Sequence, residues 1–377
     1  MEWSTQTGRH ALGTLPLQSG ASLPGAELSW KTYGTLAPAR DNVIVYPTSY
    51  SAHHTDLEQL IGPEGVLDPT RWFIVIPDMF ANGLSSSPSN SDHYPSLVTT
   101  ADNVRAQERL LREVFGVDRI ACAYGFSMGA QQAYHWAALF PEQVERAVIA
   151  CGSARTSVHN QVFLRSLLAT LEAAPEHIGG GRFSAIPTTS LRAFARAYAG
   201  WAMSQDWYRA DLHLTSTGAA DLDDYLDHHW EPGFTRRKAE DLYAQAATWM
   251  ASDISANELY EGDLVRALQA IRARVLLMPG RTDLYFPVAD NALEMPHLAQ
   301  AELRPIPSIW GHVLVRRRPV TRIFPSYAPR FAPGSNEGRR TRSPTRAGHA
   351  RRTRPACLRA YLTSIVKCRF KVVPLHC

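Results

Sequence analysis

Cysteine is scarce in this chain and falls without pattern: Cys122, Cys151, Cys357, Cys368 and Cys377 are five in 377 residues. That number and spacing exclude a disulfide framework or a zinc knuckle, and Cys122 and Cys151, set in apolar runs, read as core thiols. Long hydrophobic runs are missing too. No stretch approaches the roughly 20 apolar residues needed to cross a bilayer, and Met1–Gly20 has neither a basic n-region nor an apolar h-region, so the expected setting is the cytoplasm with no membrane partner. Acid nearly vanishes from the last part of the chain. Residues 1–314 carry 23 Lys and Arg against 34 Asp and Glu, whereas 315–377 carry 16 against Glu337 alone, so a net charge of +4 hides an acidic body and a basic tail. What is plentiful is core material: 45% hydrophobic and 10% aromatic residues exclude a disordered or fibrous chain and allow one large or two ordinary domains.

Short apolar, β-branched runs recur at Asn42–Tyr46, Trp72–Ile76, Ile120–Tyr124, Ala147–Cys151, Val275–Met278 and Glu302–Ile306. Most lack polar alternation, as strands covered on both faces do. Helical periodicity lies between several of them. Ala101–Phe115, with Asp102 as its expected N-cap and Val104, Leu110, Leu111 and Val114 apolar, leads straight into the run at Ile120. Strand alternating with helix predicts a mostly parallel, doubly wound α/β sheet. Residues 155–268 break the rhythm with helices and loops, read as a helical cap inserted between core segments 1–154 and 269–314. Its aromatics, among them Tyr198, Trp201, Trp207 and Tyr208, read mainly as the cap's own core. From Val315 the composition turns to Arg, Pro, Ser and Ala. Val315–Pro355 is expected to be disordered, and Leu358, Tyr361, Leu362 and Ile365 fall at the spacing of a short amphipathic helix.

The strongest chemical signal is Gly125-Phe126-Ser127-Met128-Gly129, placed directly after one apolar run and before a helical pattern through Ala133, Trp136, Ala137 and Phe140. In that setting the glycines permit a sharp strand-to-helix turn that lifts the serine hydroxyl off the sheet, and the Met128 N–H becomes a natural oxyanion donor. A serine hydroxyl needs a base, and the base needs a carboxylate to orient it. Val275–Met278 runs into Asp283, and Glu302–Ile306 leads to His312. Both would lie past C-terminal strand ends, where ligands of open α/β sheets gather, and in the order serine, acid, histidine. His53, His54, His135, His228 and His229 do not fit that order, and Asp290 is the rival acid. The loop Pro47–Ser51 is expected to supply a second oxyanion donor, with the Ser49 amide first and Tyr50 next. No metal-ligand spacing and no nucleotide fingerprint is present, so neither metal nor cofactor is expected.

These residues resemble the homoserine O-acetyltransferase-like branch of the α/β-hydrolase superfamily. The match runs over about residues 12–314 through Asp102–Gln107, Gly125–Gly129, Gly152–Arg155, Asp283 with Phe286-Pro287, and Gly311-His312. The resemblance implies an α/β-hydrolase fold with Ser127 as nucleophile, His312 as base and Asp283 as orienting acid. In members with the acetyltransferase activity, acetyl-CoA acylates the serine as co-substrate and homoserine takes the acetyl group. It also assigns Arg196 to a substrate carboxylate. Two departures weigh against homoserine: Val313 stands where an aspartate would hold the substrate ammonium, and Met203 replaces a tyrosine. An ammonium left unpaired in a buried site is costly.

The reading is therefore a serine-dependent acyl-transfer enzyme working through an acyl-serine, favoured as an ester or thioester hydrolase. An O-acetyltransferase using an alcohol acceptor is the alternative. A third possibility is an inactive homologue damaged by loss of the last helix. The match to the family stops within a few residues of His312, and the tail beyond reads as an aberrant frame or exon end more than as a nucleic-acid-binding appendage. Small-molecule esters, thioesters or alcohols are the expected partners, and a homodimer is left open.

Overall fold

The computed structural model describes residues 3–62 and 65–315. The expectations placed on the basic tail, its disorder and its amphipathic helix, lie outside the described residues. Eight strands form a single sheet: β1 (Thr5–Pro16), β2 (Ser22–Tyr33), β3 (Val43–Val45), β4 (Phe73–Pro77), β5 (Cys122–Phe126), β6 (Arg146–Ala150), β7 (Arg274–Met278) and β8 (Ala301–Leu303). Their spatial order is β1-β2-β4-β3-β5-β6-β7-β8, with every pair from β4 to β8 parallel and β2 antiparallel to both its neighbours. This is the mostly parallel α/β sheet that the apolar runs imply. Each of the six runs forms or overlaps a strand. The last is shorter than its run, although the Arg304 and Ile306 amides still donate to the Leu277 and Pro279 carbonyls at 2.8 Å beyond it.

Helix α1 (Thr100–Phe115) and helix α2 (Met128–Leu139) flank the sheet. The start of α1 corrects the expected cap. Thr99, not Asp102, is the N-cap: its side chain accepts from the Asp102 amide, while Asp102 accepts the Thr99 amide at 2.9 Å, a reciprocal capping box. Helix α2 is buried along its whole length between sheet and neighbours: Ala130, Ala133, Tyr134, Trp136 and Ala137 are all closed off from solvent, and its polar Gln131, Gln132 and His135 are buried with hydrogen-bond partners. They pack in one core with Val45, Val75, Ile149 and Leu277 from the strands.

Between β6 and β7 the chain makes eight helices, the first seven being α3 (Val158–Glu172), α4 (Thr188–Ala202), α5 (Gln205–Arg209), α6 (Leu212–Thr215), α7 (Leu222–His229), α8 (Glu231–Thr235) and α9 (Ala239–Met250). Of these, α3, α4, α8 and α9 share an apolar cluster of Phe163, Leu167, Phe194, Phe234 and Trp249, which also takes in Tyr50, Met128, Tyr285 and Phe286 from the sheet side. The insertion is thus packed directly onto the loops at the sheet's C-terminal edge. Helices α10 (Leu264–Gln269) and α11 (Val288–Glu294) complete the flanking layer, and no helix among the described residues is long and apolar enough to cross a membrane.

Candidate active site

Ser127 stands at the sharp corner between β5 and α2 with φ 58 and ψ −128, a conformation that L-residues rarely hold and that helix packing enforces here. The flanking glycines are steric necessities. A Cβ on Gly125 would lie 2.1 Å from the Gly129 carbonyl oxygen, and one on Gly129 would lie 2.6 Å from that of Pro47. Any larger residue at either point pries the corner open.

Asp283 sits in the loop after β7 and is closed to solvent. Its Oδ1 accepts the amides of Tyr285 at 2.8 Å and Phe286 at 3.2 Å, which leaves Oδ2 for His312 Nδ1 at 2.7 Å. Because an ionised carboxylate only accepts, Nδ1 carries the proton and Nε2 is left as acceptor for the Ser127 hydroxyl, 2.8 Å away. His312 itself lies in the turn Gly311–Val315 beyond β8. Phe126 stacks on its ring at 4.8 Å and Tyr285 meets it edge-on at 4.7 Å. Gly311, at φ 59, passes so close to the end of α4 that a Cβ there would lie 2.5 Å from the Ala202 carbonyl oxygen. Three side chains widely separated in sequence are therefore joined in one line of hydrogen bonds. Cys151 flanks it: with Asp283 and His312 its ligand atoms fall within 4.8 Å of one another. Burial first, and the Asp283 charge second, push its thiol well above the usual range, so it stays protonated and is a poor metal ligand.

The serine opens on a cavity of about 250 Å³, walled by Tyr50, Phe126, Tyr198, Trp230 and Phe234, with Met203, Tyr225 and Val313 completing its apolar lining. Among the described residues no carboxylate lines it, and the polar contributors beyond Ser127 and His312 include Ser49, Ser51, His229 and Arg236. Both positions that departed from the acetyltransferase pattern, Met203 and Val313, lie on this wall. Ser49 reaches the cavity with its Oγ donating to the Phe126 carbonyl at 2.5 Å, and Met128 begins α2 directly behind Ser127.

Arg196 requires correction. It does not line the cavity. It lies one turn beyond Arg192 on the outer face of α4, where Asp223, Asp227 and Glu231, spaced four apart along α7 and α8, take up the two guanidinium groups; Arg196 Nε donates to Glu231 at 2.7 Å. Releasing it to a substrate would break those ion pairs. The other histidines are mostly committed elsewhere. His54 pairs with buried Asp78 at 2.6 Å, His53 with the Asn82 carbonyl at 2.8 Å, and His135 with that of Gln131 at 2.8 Å; only His229 of the set lines the cavity. Among the insertion's aromatics, Trp207 and Tyr198 are both core, as expected, and Tyr198 is cavity wall as well. Tyr225, Trp230, Phe234 and Arg236 had no sequence signal beyond their residue type, because their place depends on how α7 and α8 fold back on α4.

A family model described as alpha/beta hydrolase fold matches residues 63–314. The chain is similar to a probable esterase of Corynebacterium glutamicum, 35% identical over 317 residues that cover 80% of this chain and 88% of that one. It is likewise similar to an ethyl acetate hydrolase of Pseudomonas veronii, 33% identical, covering 80% and 88%. Homoserine O-acetyltransferase of Thermobifida fusca is more distant at 26% identity, covering 79% and 86%. Among solved structures, an acetylester hydrolase of Corynebacterium glutamicum superposes with a TM-score of 0.81 at 31% identity, covering 86% of this chain and 95% of that one.

Proposed function

This chain belongs to the alpha/beta hydrolase fold family and is an enzyme of its hydrolase or acyltransferase kind; on that premise we propose that it hydrolyses small, uncharged carboxylic esters through an acyl-serine. Ser127 Oγ attacks the ester carbonyl carbon as its proton passes to His312 Nε2, and Asp283 steadies the imidazolium that results. The amides of Met128 and Ser49 receive the oxyanion. Collapse of the tetrahedral intermediate expels the alkoxide, which takes the proton from His312. Water then repeats the sequence on the acyl-serine, releasing acid and regenerating the hydroxyl. No cofactor enters.

The observation that carries this reading is a serine–histidine–aspartate line opening on an apolar cavity in which no carboxylate stands among the described residues. Homoserine brings an ammonium and a carboxylate. Here the ammonium has no anionic partner in the wall, and Arg196 is held by three acids of its own. A water acceptor needs neither. Transfer to an uncharged alcohol shares the first half-reaction and is the second reading, favoured by the homoserine acetyltransferase relatives; acetyl-CoA would then be the co-substrate. The cytoplasm is the proposed setting.

The deciding experiment incubates the protein with p-nitrophenyl acetate, ethyl acetate and acetyl-CoA, with and without homoserine. Acetate release unaffected by homoserine is expected; acetyl-homoserine as main product would overturn the preference for water. Ser127→Ala should lower turnover by at least about 10⁴-fold while circular dichroism stays unchanged. Activity left near wild type would remove Ser127 from the reaction.

A further inference from the structure

The loop that carries Ser49 is held from two sides by different parts of the molecule. On the sheet side, Thr48 donates its amide to Pro77 at 3.2 Å and accepts Gln132 Nε2 on its carbonyl at 2.8 Å, and Ser49 Oγ is tied to Phe126. On the other side the anchors come from the helical insertion. Ser51 adopts φ 56, a left-handed conformation unfavourable for serine, and both of its backbone groups are taken by insertion side chains. Its N–H donates to Gln245 Oε1 at 2.7 Å, and its carbonyl accepts Arg237 Nε at 2.8 Å. The Tyr50 hydroxyl donates to the Leu242 carbonyl at 2.9 Å, a third tie to the insertion. The Ala52 amide closes the turn on the Ser49 carbonyl at 3.0 Å. Turning Ser51 therefore turns the loop of Ser49 and Tyr50, which lines the cavity beside Ser127.

Arg237 is built to hold this point. It lies between α8 and α9 with its side chain 11% exposed, and its fork is fully used: Nη2 donates to Asp56 at 2.7 Å and Nη1 lies 2.9 Å from the His53 ring. Asp56 in turn accepts the His53 amide at 2.9 Å, locking the guanidinium to the chain just after the loop. Gln245 is buried, with Oε1 committed to the Ser51 amide.

We propose that Arg237 and Gln245 are positioning residues for the oxyanion donors: the insertion, by clamping both backbone groups of Ser51, sets the amides that receive the charge developing on the ester oxygen. This rests on the hydrolase reading above. Neither side chain touches the substrate. Both act through Ser51, and their contribution appears only when the carbonyl oxygen becomes an anion.

The test measures Arg237→Met, Arg237→Lys and Gln245→Met against wild type with p-nitrophenyl acetate, alongside inhibition by a short trifluoromethyl ketone. That ketone adds Ser127 Oγ to its carbonyl carbon, passes the serine proton to His312 and places a true oxyanion in the hole. Arg237→Met is expected to lower kcat by about 10- to 100-fold, short of the roughly 10²–10³ for losing a donor outright, with KM within about threefold. Affinity for the ketone should fall in step with kcat/KM. Arg237→Lys, which still donates to Ser51, should recover part of the loss. Should Arg237→Met lack a cooperative thermal transition, Gln245→Met carries the test, because it leaves the Asp56 ion pairs in place. A folded variant with kcat and ketone affinity within twofold of wild type would overturn the proposal. So would one that loses kcat but keeps ketone affinity, since that is damage elsewhere. If wild type itself shows no Ser127-dependent hydrolysis, the hydrolase reading falls first; if wild type is active and the variants match it, only the clamp falls.

Discussion

Asp283 Oδ1 is fixed by two backbone donors, Tyr285 and Phe286, so the side chain has a defined top and bottom. Replacing it with asparagine makes that asymmetry decisive. The amide oxygen must stay under the two N–H groups, which turns Nδ2 toward His312 Nδ1 and forces the ring proton onto Nε2. The imidazole then faces Ser127 as a donor and has no lone pair for its proton. Asp283→Asn is expected to lower kcat for p-nitrophenyl acetate by about 10⁴-fold with little change in KM, and neutron or ¹⁵N imidazole measurements should show the switched tautomer. A loss smaller than tenfold would count against Asp283 as the orienting acid. Nearby Cys151, protonated and buried, should resist thiol-modifying reagents until the protein unfolds. Labelling of the native enzyme at that thiol on the timescale of turnover would contradict it.

At the scale of elements, Glu294 on α11 joins three parts of the framework behind the site. Its carboxyl accepts the Ala154 amide at 2.7 Å, the Tyr134 hydroxyl of α2 at 2.7 Å and Asn291 Nδ2 at 2.8 Å. Burial nonetheless dominates and pushes it up to about 7. A carboxyl whose folded value lies above its unfolded one holds more protons in the folded state between those two values. Stability from this group is therefore full below about pH 4.5 and declines as pH rises through about 7, by about 3 kcal/mol. Glu294→Gln should flatten that segment of the stability profile, so that urea midpoints of the two proteins diverge between pH 5 and pH 8; parallel profiles would refute it. Such ties show where sequence alone loses sight. The Gly-x-Ser-x-Gly corner was legible because its steric reasons are local, and Asp283 and His312 because strand ends and chain order nearly dictate their meeting. The β1–β2 hairpin escaped: β1 is a largely exposed edge, broken by bulges around Gly13, with no buried run to mark it. Arg196 was misread because the acids that claim it lie on other helices, 27 to 35 residues away.

Across the whole molecule, the insertion is a structural part of the site rather than a cover laid over it. Besides holding Ser51, it meets the His312 loop where Ser204 donates to the Ile309 carbonyl and where the end of α4 presses on Gly311. The two loops that must be registered against Ser127 thus share one support, and the space left between support and sheet sets the substrate. At about 250 Å³ that space is below the roughly 300–1,000 Å³ of drug-sized sites, which points to an ester with short arms. Hydrolysis of p-nitrophenyl esters should therefore fall steeply from acetate to octanoate, by at least 100-fold in kcat/KM. Phe234, packed against Phe194 at 5.2 Å and Tyr198 at 4.8 Å, lines the cavity. Removing its ring in Phe234→Ala opens room for three or four methylenes, each worth about 0.8 kcal/mol when buried, so octanoate should gain at least tenfold relative to acetate. The same substitution leaves Arg237, Gln245 and the Ser127–His312 contact untouched, so acetate turnover should fall far less than in the Arg237 variants. An unchanged chain-length profile in a folded Phe234→Ala protein would mean that the acyl chain leaves this cavity by another route.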